Sequence, residues 1–71
     1  MQLTPRAEKI IRILLRFSPD SPGTIGIIAE ELGISDRSVQ RELPTIEKWM
    51  KHNGFRFLRK RSVGLFIDEP P

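Results

Sequence analysis

Hydrophobic positions near the start of the chain recur every three or four places. Ala7, Ile10, Ile11, Leu14 and Phe17 share one side of a helical wheel, and Glu8, Lys9, Arg12 and Arg16 take the other. Thr4 is placed to cap this helix, and Pro5 suits its first position, where a missing N–H costs nothing. Ile13 and Leu15 widen the apolar arc beyond what one neighbour covers. The helix is therefore expected to touch two partners, such as other helices and a sheet. The stretch "SPDSPG" then breaks the period with prolines, a glycine and short polar side chains, and reads as a loop.

A second helix is predicted from roughly Ile25 to Leu32, with Thr24 as its cap and Ile25, Ile28, Ala29 and Leu32 as its inner stripe. Gly26 weakens it by about 1 kcal/mol relative to alanine, unless it permits a close approach. Gly33 is a natural left-handed C-cap, and after a tight turn at Ile34 the hydroxyl of Ser35 caps a third helix. On a wheel of about 100° per residue centred on Val39, the residues Leu43, Ile46 and Met50 fall within about 40°. Trp49 sits at the flank. Arg37, Arg41 and Lys48 fall within about 20° of the opposite pole. Pro44 lies on that outer side and removes the hydrogen bond to the Gln40 carbonyl, which predicts a kink or a restart.

After Gly54 the period shortens to two. "FRFLRKR" and "GLFID" read as short strands joined by the turn "RSVG". Phe55, Phe57, Leu65 and Ile67 are expected on the inner face, Arg56 points outward, and Arg59, Lys60 and Arg61 crowd the hairpin tip. "DEPP" stops the second strand. The domain is thus expected over residues 1–68, with 69–71 opening a linker. Helix, helix, turn, helix, hairpin is the order of a mainly α fold with a small β-hairpin, the three-helix winged helix-turn-helix.

Composition narrows the function. A chain of 71 residues makes one small domain, burying only about 60% of its unfolded surface. It has no cysteine, so no disulfide and no thiolate metal site, and its single histidine cannot build a zinc site alone. No stretch approaches the roughly 20 apolar residues of a membrane span, and the N-terminus does not read as a signal peptide. His52 has no carboxylate or serine at catalytic spacing and reads as a helix C-terminal residue. Glu30–Glu31 reads as a solvated pair, and no glycine loop for phosphate is present. Neither catalysis nor a metal, cofactor or small-molecule ligand is expected.

The net charge of +3 is modest, but its distribution is not even. Between Lys48 and Ile67 lie six cations and no acid, which leaves −3 for the remainder. Such polarity suits a surface that meets a polyanion. The spacing of Ala29, Gly33, Ile34, Val39 and Leu43 suits a helix-turn-helix, whose second helix enters the major groove of DNA. The expected partner is double-stranded DNA, contacted through Ser35, Arg37, Ser38, Gln40, Arg41 and Lys48 on the third helix and through Arg59, Lys60 and Arg61 on the hairpin. Arginine can bond a guanine edge with both arms, and glutamine can do the same with adenine. The helix start at Ser35 offers free N–H groups to a phosphate. The hairpin cations could reach phosphates or a minor groove. A plainer alternative is a solvated helix face, with Arg37 and Arg41 paired to Glu42 or other acids. For the hairpin the plainer alternative is edge charge that only prevents strand association.

The pattern "LTPRAEKIIRILL … IIAEELGISDRSVQRELPTIEKWM … GFRFLRKRSVGLFI" resembles the N-terminal winged helix of bacterial regulators controlled by the sugar phosphotransferase system. Mannitol-operon activators and antiterminator-like regulators are closest in kind, and the heads of biotin repressors and DeoR-type repressors look similar. The resemblance covers nearly the whole chain and is strongest in "AEELGISDRSVQREL". It implies transcription control in a bacterial cytoplasm, by the head of a longer, homodimeric protein whose other domains sense the sugar signal. It also implies that Ser38 and Arg41 fall where such heads contact DNA. Pro44 and the long first loop "FSPDSPGT" depart from the pattern. Two other roles compete with this one. Leu15 and Ile27, if exposed, would favour a winged helix that binds protein without nucleic acid. Stacking on Phe55, Phe57 and Phe66 would suit RNA, but two of the three alternate toward the core.

Overall fold

The computed structural model of the chain describes residues 3–69. Its elements are α1 (Pro5–Leu14), α2 (Ile25–Leu32), α3 (Asp36–His52), β1 (Arg56–Lys60) and β2 (Gly64–Glu69). Three helices and an antiparallel hairpin form the winged helix that the sequence pattern predicts. No helix among the described residues is long and apolar enough to cross a membrane. Of the linker expected at 69–71, Glu69 instead ends β2, and 70–71 lie outside the described residues.

All three helix starts are capped as the sequence implies. The side-chain oxygens of Thr4, Thr24 and Ser35 accept from the backbone N–H groups of Ala7, Ile27 and Ser38 at 3.0, 3.0 and 3.1 Å. Each satisfies a donor that the first helical turn leaves without a partner. Between α2 and α3, Gly33 adopts φ 67°. The N–H of Gly33 reaches the Glu30 carbonyl at 3.2 Å and that of Ile34 reaches the Ala29 carbonyl at 3.0 Å. This double closure needs a left-handed residue, which glycine supplies without a Cβ clash.

The core gathers on α3. Val39, Leu43, Ile46 and Met50 are fully buried, and α1, α2 and β1 all pack against this helix. From α1 come Ala7, Ile10, Ile11, Ile13 and Leu14, with Phe17 just beyond the helix. As its wide arc implies, α1 meets both helices and β2, but Leu15 stays exposed. The expected kink or restart at Pro44 is not a break: α3 runs unbroken for 17 residues. Pro44 is exposed, so solvent can satisfy the carbonyl it leaves free, while the buried stripe holds both halves on one core.

The loop between α1 and α2 is tied down more firmly than its composition suggests. Ser18 and Ser21 exchange backbone hydrogen bonds at 3.1 and 3.0 Å. Gly23 and Leu65 exchange two more at 2.8 and 2.9 Å, and the Ile67 N–H reaches the Phe17 carbonyl at 3.2 Å. β2 therefore has backbone partners on both edges, with β1 on one and the 17–23 segment on the other. The hairpin shows a second departure. Alternation places only Leu65 and Ile67 inside, yet Phe66 is equally buried. It stands opposite Leu58, half-buried on the same face, and the Lys60 ammonium lies 6.0 Å from its ring centroid. Phe55 and Phe57, expected to be the inward aromatics, are only half-buried, and Phe55 stacks on Trp49 at 5.9 Å.

The contact of the 17–23 segment with β2 depends on two glycines. A Cβ on Gly23 would lie 2.1 Å from the Phe17 ring, and one on Gly64, at φ 121°, would lie 2.4 Å from the Gly23 carbonyl oxygen. Around the rim, exposed pairs add little. Thr4 Oγ1 donates to Glu42 at 3.3 Å, and Arg16 pairs with Glu31, whose hydrogen bond and charge raise the guanidinium pKa.

Two substitutions test this packing. Val39→Asp puts an unpaired carboxylate at the centre of the core, which the domain's thin margin cannot absorb. Circular dichroism should show no cooperative melt. A variant melting near the wild type would mean the helix phase is wrong. Gly23→Ala should cost about 1–3 kcal/mol by overpacking against Phe17, lowering the melting temperature by several degrees or more. An unchanged melting temperature would show that the segment is not held against β2 this closely.

Candidate nucleic-acid interface

The same stripe that buries one pole of α3 turns the other pole to solvent. Arg37, Arg41 and Lys48 are exposed at that pole, and Gln40 is exposed on one flank. Among the described residues these four side chains make no hydrogen bond or ion pair. The solvated-face alternative needs Glu42 as a partner for Arg37 or Arg41, and Glu42 instead accepts from Thr4. The acids of α3 lie away from the cations. Asp36, Glu42 and Glu47 fall within about 80° of Val39 on the wheel, on the sides that face the rest of the protein. The outer stripe from Arg37 to Lys48 spans about 16 Å of continuous helix.

Ser35 and Ser38 are placed differently. Their hydroxyl oxygens lie 3.0 Å apart, and Ser35 Oγ also accepts from the Ser38 backbone. Ser38 is half-buried on the flank opposite Gln40. Both residues therefore serve first to start α3, and only Ser35 is exposed at its tip.

The hairpin cations do not form one uniform patch. Arg59 Nη1 lies 3.2 Å from Glu47 Oε1, joining the hairpin to α3. Arg56 Nε lies 3.8 Å from Asp68 Oδ2 across the sheet. Lys60 leans over Phe66. Arg61, in the turn, is exposed and has no partner among the described residues. The acid-free run from Lys48 to Ile67 is thus met in space by the two acids that bracket it in sequence, Glu47 and Asp68. Sequence reading missed this because both pairings depend on how the hairpin folds back. The helical wheel does carry one hint, since Glu47 falls on a flank rather than at the solvent pole.

His52 is exposed near the end of α3, and no group of three or more His, Asp or Glu side chains among the described residues could hold a metal ion. Leu15, just after α1, and Ile27, on α2, are 47% and 46% exposed. Compared with known proteins, the chain matches no family model, no curated protein and no solved structure.

Proposed function

We propose that this winged helix binds duplex DNA sequence-specifically, as the reading head of a bacterial, cytoplasmic, sugar-responsive transcription regulator that is dimeric at full length. The observation that carries the DNA-binding part is the outer face of α3. Arg37, Gln40 and Arg41 stand there exposed, unpaired among the described residues, and with the helix's acids turned away. Their chemistry matches guanine and adenine edges in a groove wide enough for a helix. Unpaired cations along one exposed helix face suit a polyanionic partner. The regulator class, the sugar signal and the dimer rest on the sequence resemblance.

Roles divide along the surface. Arg37, Gln40 and Arg41, on the first turns of α3, are assigned to base edges. The N-terminal residues of a recognition helix reach the base edges, so Lys48, about 16 Å further along, is assigned to a phosphate. Lys60 and Arg61 are assigned to the backbone. Arg59 joins them only by sharing or leaving Glu47. Protein binding is the competing role, favoured by the exposure of Leu15 and Ile27.

One set of fluorescence-anisotropy titrations distinguishes these assignments, using the best duplex selected from a random pool and a scrambled control. Arg41→Ala should weaken the selected duplex by about 1–3 kcal/mol and reduce discrimination, with little change in salt slope. The double variant Lys60→Gln, Arg61→Gln should weaken both duplexes alike and lower the slope by about 0.9 for each phosphate the hairpin no longer neutralises. If no duplex is selected over the control, the sequence-reading role is wrong. A slope that does not change in the double variant would point the hairpin away from DNA and shift weight to protein binding.

A further inference from the structure

We infer that the outer edge of β1, with the groove it forms beside the C-terminal half of α3, receives an acidic, extended segment of a partner protein as an added antiparallel strand. This surface does not rest on the DNA-binding role. The register of the hairpin shows which backbone groups face outward. Leu65 and Ile67 turn theirs to Gly23 and Phe17. Their partners across the hairpin, Arg59 and Phe57, therefore turn theirs away from β2, as alternate pairs of an antiparallel ladder do. The N–H and C=O groups of these two residues line the edge about 7 Å apart. Among the described residues no other strand meets them. The groove beside the edge has a volume of about 430 Å³. Every residue from Phe55 to Arg59 lines it. Neighbours on a strand point to opposite faces, so the groove follows the edge rather than one face.

Charge selects the occupant. Lys51 of α3 and Arg56 and Arg59 of β1 line the groove against one acid, Glu47. Lys60 continues the strand. A second copy is the wrong occupant. Pairing β1 antiparallel with itself about Leu58 would set Arg56 opposite Lys60, and like charges directly opposite destabilise a sheet. The charge that keeps copies apart is the charge an acidic strand neutralises. Such a strand would set acids opposite Lys60 and Arg59, apolar residues opposite the half-buried Leu58 and Phe57, and an acid near Arg56 and Lys51. Its main chain would bond Phe57 and Arg59, and its side chains would supply the specificity, as in other strand additions to a sheet edge.

The test is an NMR titration with an acetylated, amidated peptide, Glu-Glu-Val-Val-Glu between flanking serines. In the free protein the amides of Phe57 and Arg59 should exchange with solvent much faster than that of Leu58, which the register pairs with Phe66. The peptide should slow both outward amides about tenfold at about ten times its Kd. Two control peptides should not bind. One is N-methylated at its second glutamate and second valine, the residues that face Arg59 and Phe57, and the other carries lysine for glutamate. Lys51→Glu, at an exposed position, should weaken the glutamate peptide about fivefold while melting near the wild type. The proposal is overturned by no saturable shift up to about 1 mM peptide, by a control peptide that binds as well, or by an unchanged affinity in Lys51→Glu. It is also overturned if the Phe57 and Arg59 amides become protected in the free protein as its concentration rises, which would make a second copy the occupant.

Discussion

Everything in this domain leans on one stripe of α3. Val39, Leu43, Ile46 and Met50 are fully buried, and α1, α2 and β1 each pack against the helix that carries them. A chain this short has no second core to fall back on. Fixing one pole of a helix fixes the opposite pole as well, because the wheel is rigid. The exposure of Arg37, Arg41 and Lys48 is therefore a consequence of core packing rather than a separate design element. The stripe also explains how α3 tolerates Pro44. Each half of the helix contributes buried residues, so a single missing hydrogen bond on the wet side does not separate them.

The hairpin depends on a different constraint. Two strands alone are marginal in water. Here β2 gains a second backbone partner, because Gly23 and Leu65 exchange hydrogen bonds and Phe17 accepts from Ile67. Leu65, Phe66 and Ile67 are buried in succession, so both faces of β2 are covered there. The backbone pairing also fixes where the tip lies. With β2 tied to the chain that leads into α2, Lys60 and Arg61 are held beside the first turn of that helix. Glu47 completes the arrangement from the other side by bonding Arg59. As an exposed pair it adds little stability, so its larger effect is on charge, since it offsets one cation of the tip.

What the sequence makes legible is local. The caps at Thr4, Thr24 and Ser35, the bounds of α2 and the turn at Gly33 all follow from short-range rules and are as expected. The inner stripes of α1 and α3 follow from periodicity alone. What it hides is tertiary. Nothing in "SPDSPG" announces that Gly23 will pair with Leu65, far along the chain. Phe66 looks outward because alternation assumes one wet face, and β2 has none over Leu65–Ile67. The charge run from Lys48 to Ile67 looks free because it ends just short of Glu47 and Asp68, which the fold then brings onto Arg59 and Arg56. For the candidate interface, the residues of α3 are readable from the wheel, but which of its cations stay unpaired is not. Glu42 could have taken Arg41 and takes Thr4 instead.

The charge that remains sets the scale of binding under the proposed role. Arg37, Arg41, Lys48, Lys60 and Arg61 are the cations assigned to DNA that no acid engages among the described residues. With Arg37 and Arg41 spent on bases, the head neutralises about three phosphates, for a salt slope of about −3. That is well short of a protein that holds DNA by charge alone. The affinity that phosphates cannot supply must then come from base contacts, and one short helix turn offers few of them. Two heads on one duplex would double both terms and read two half-sites a helical turn apart. Under the proposed role, a second head would supply the charge and reading face that a single winged helix of this size lacks.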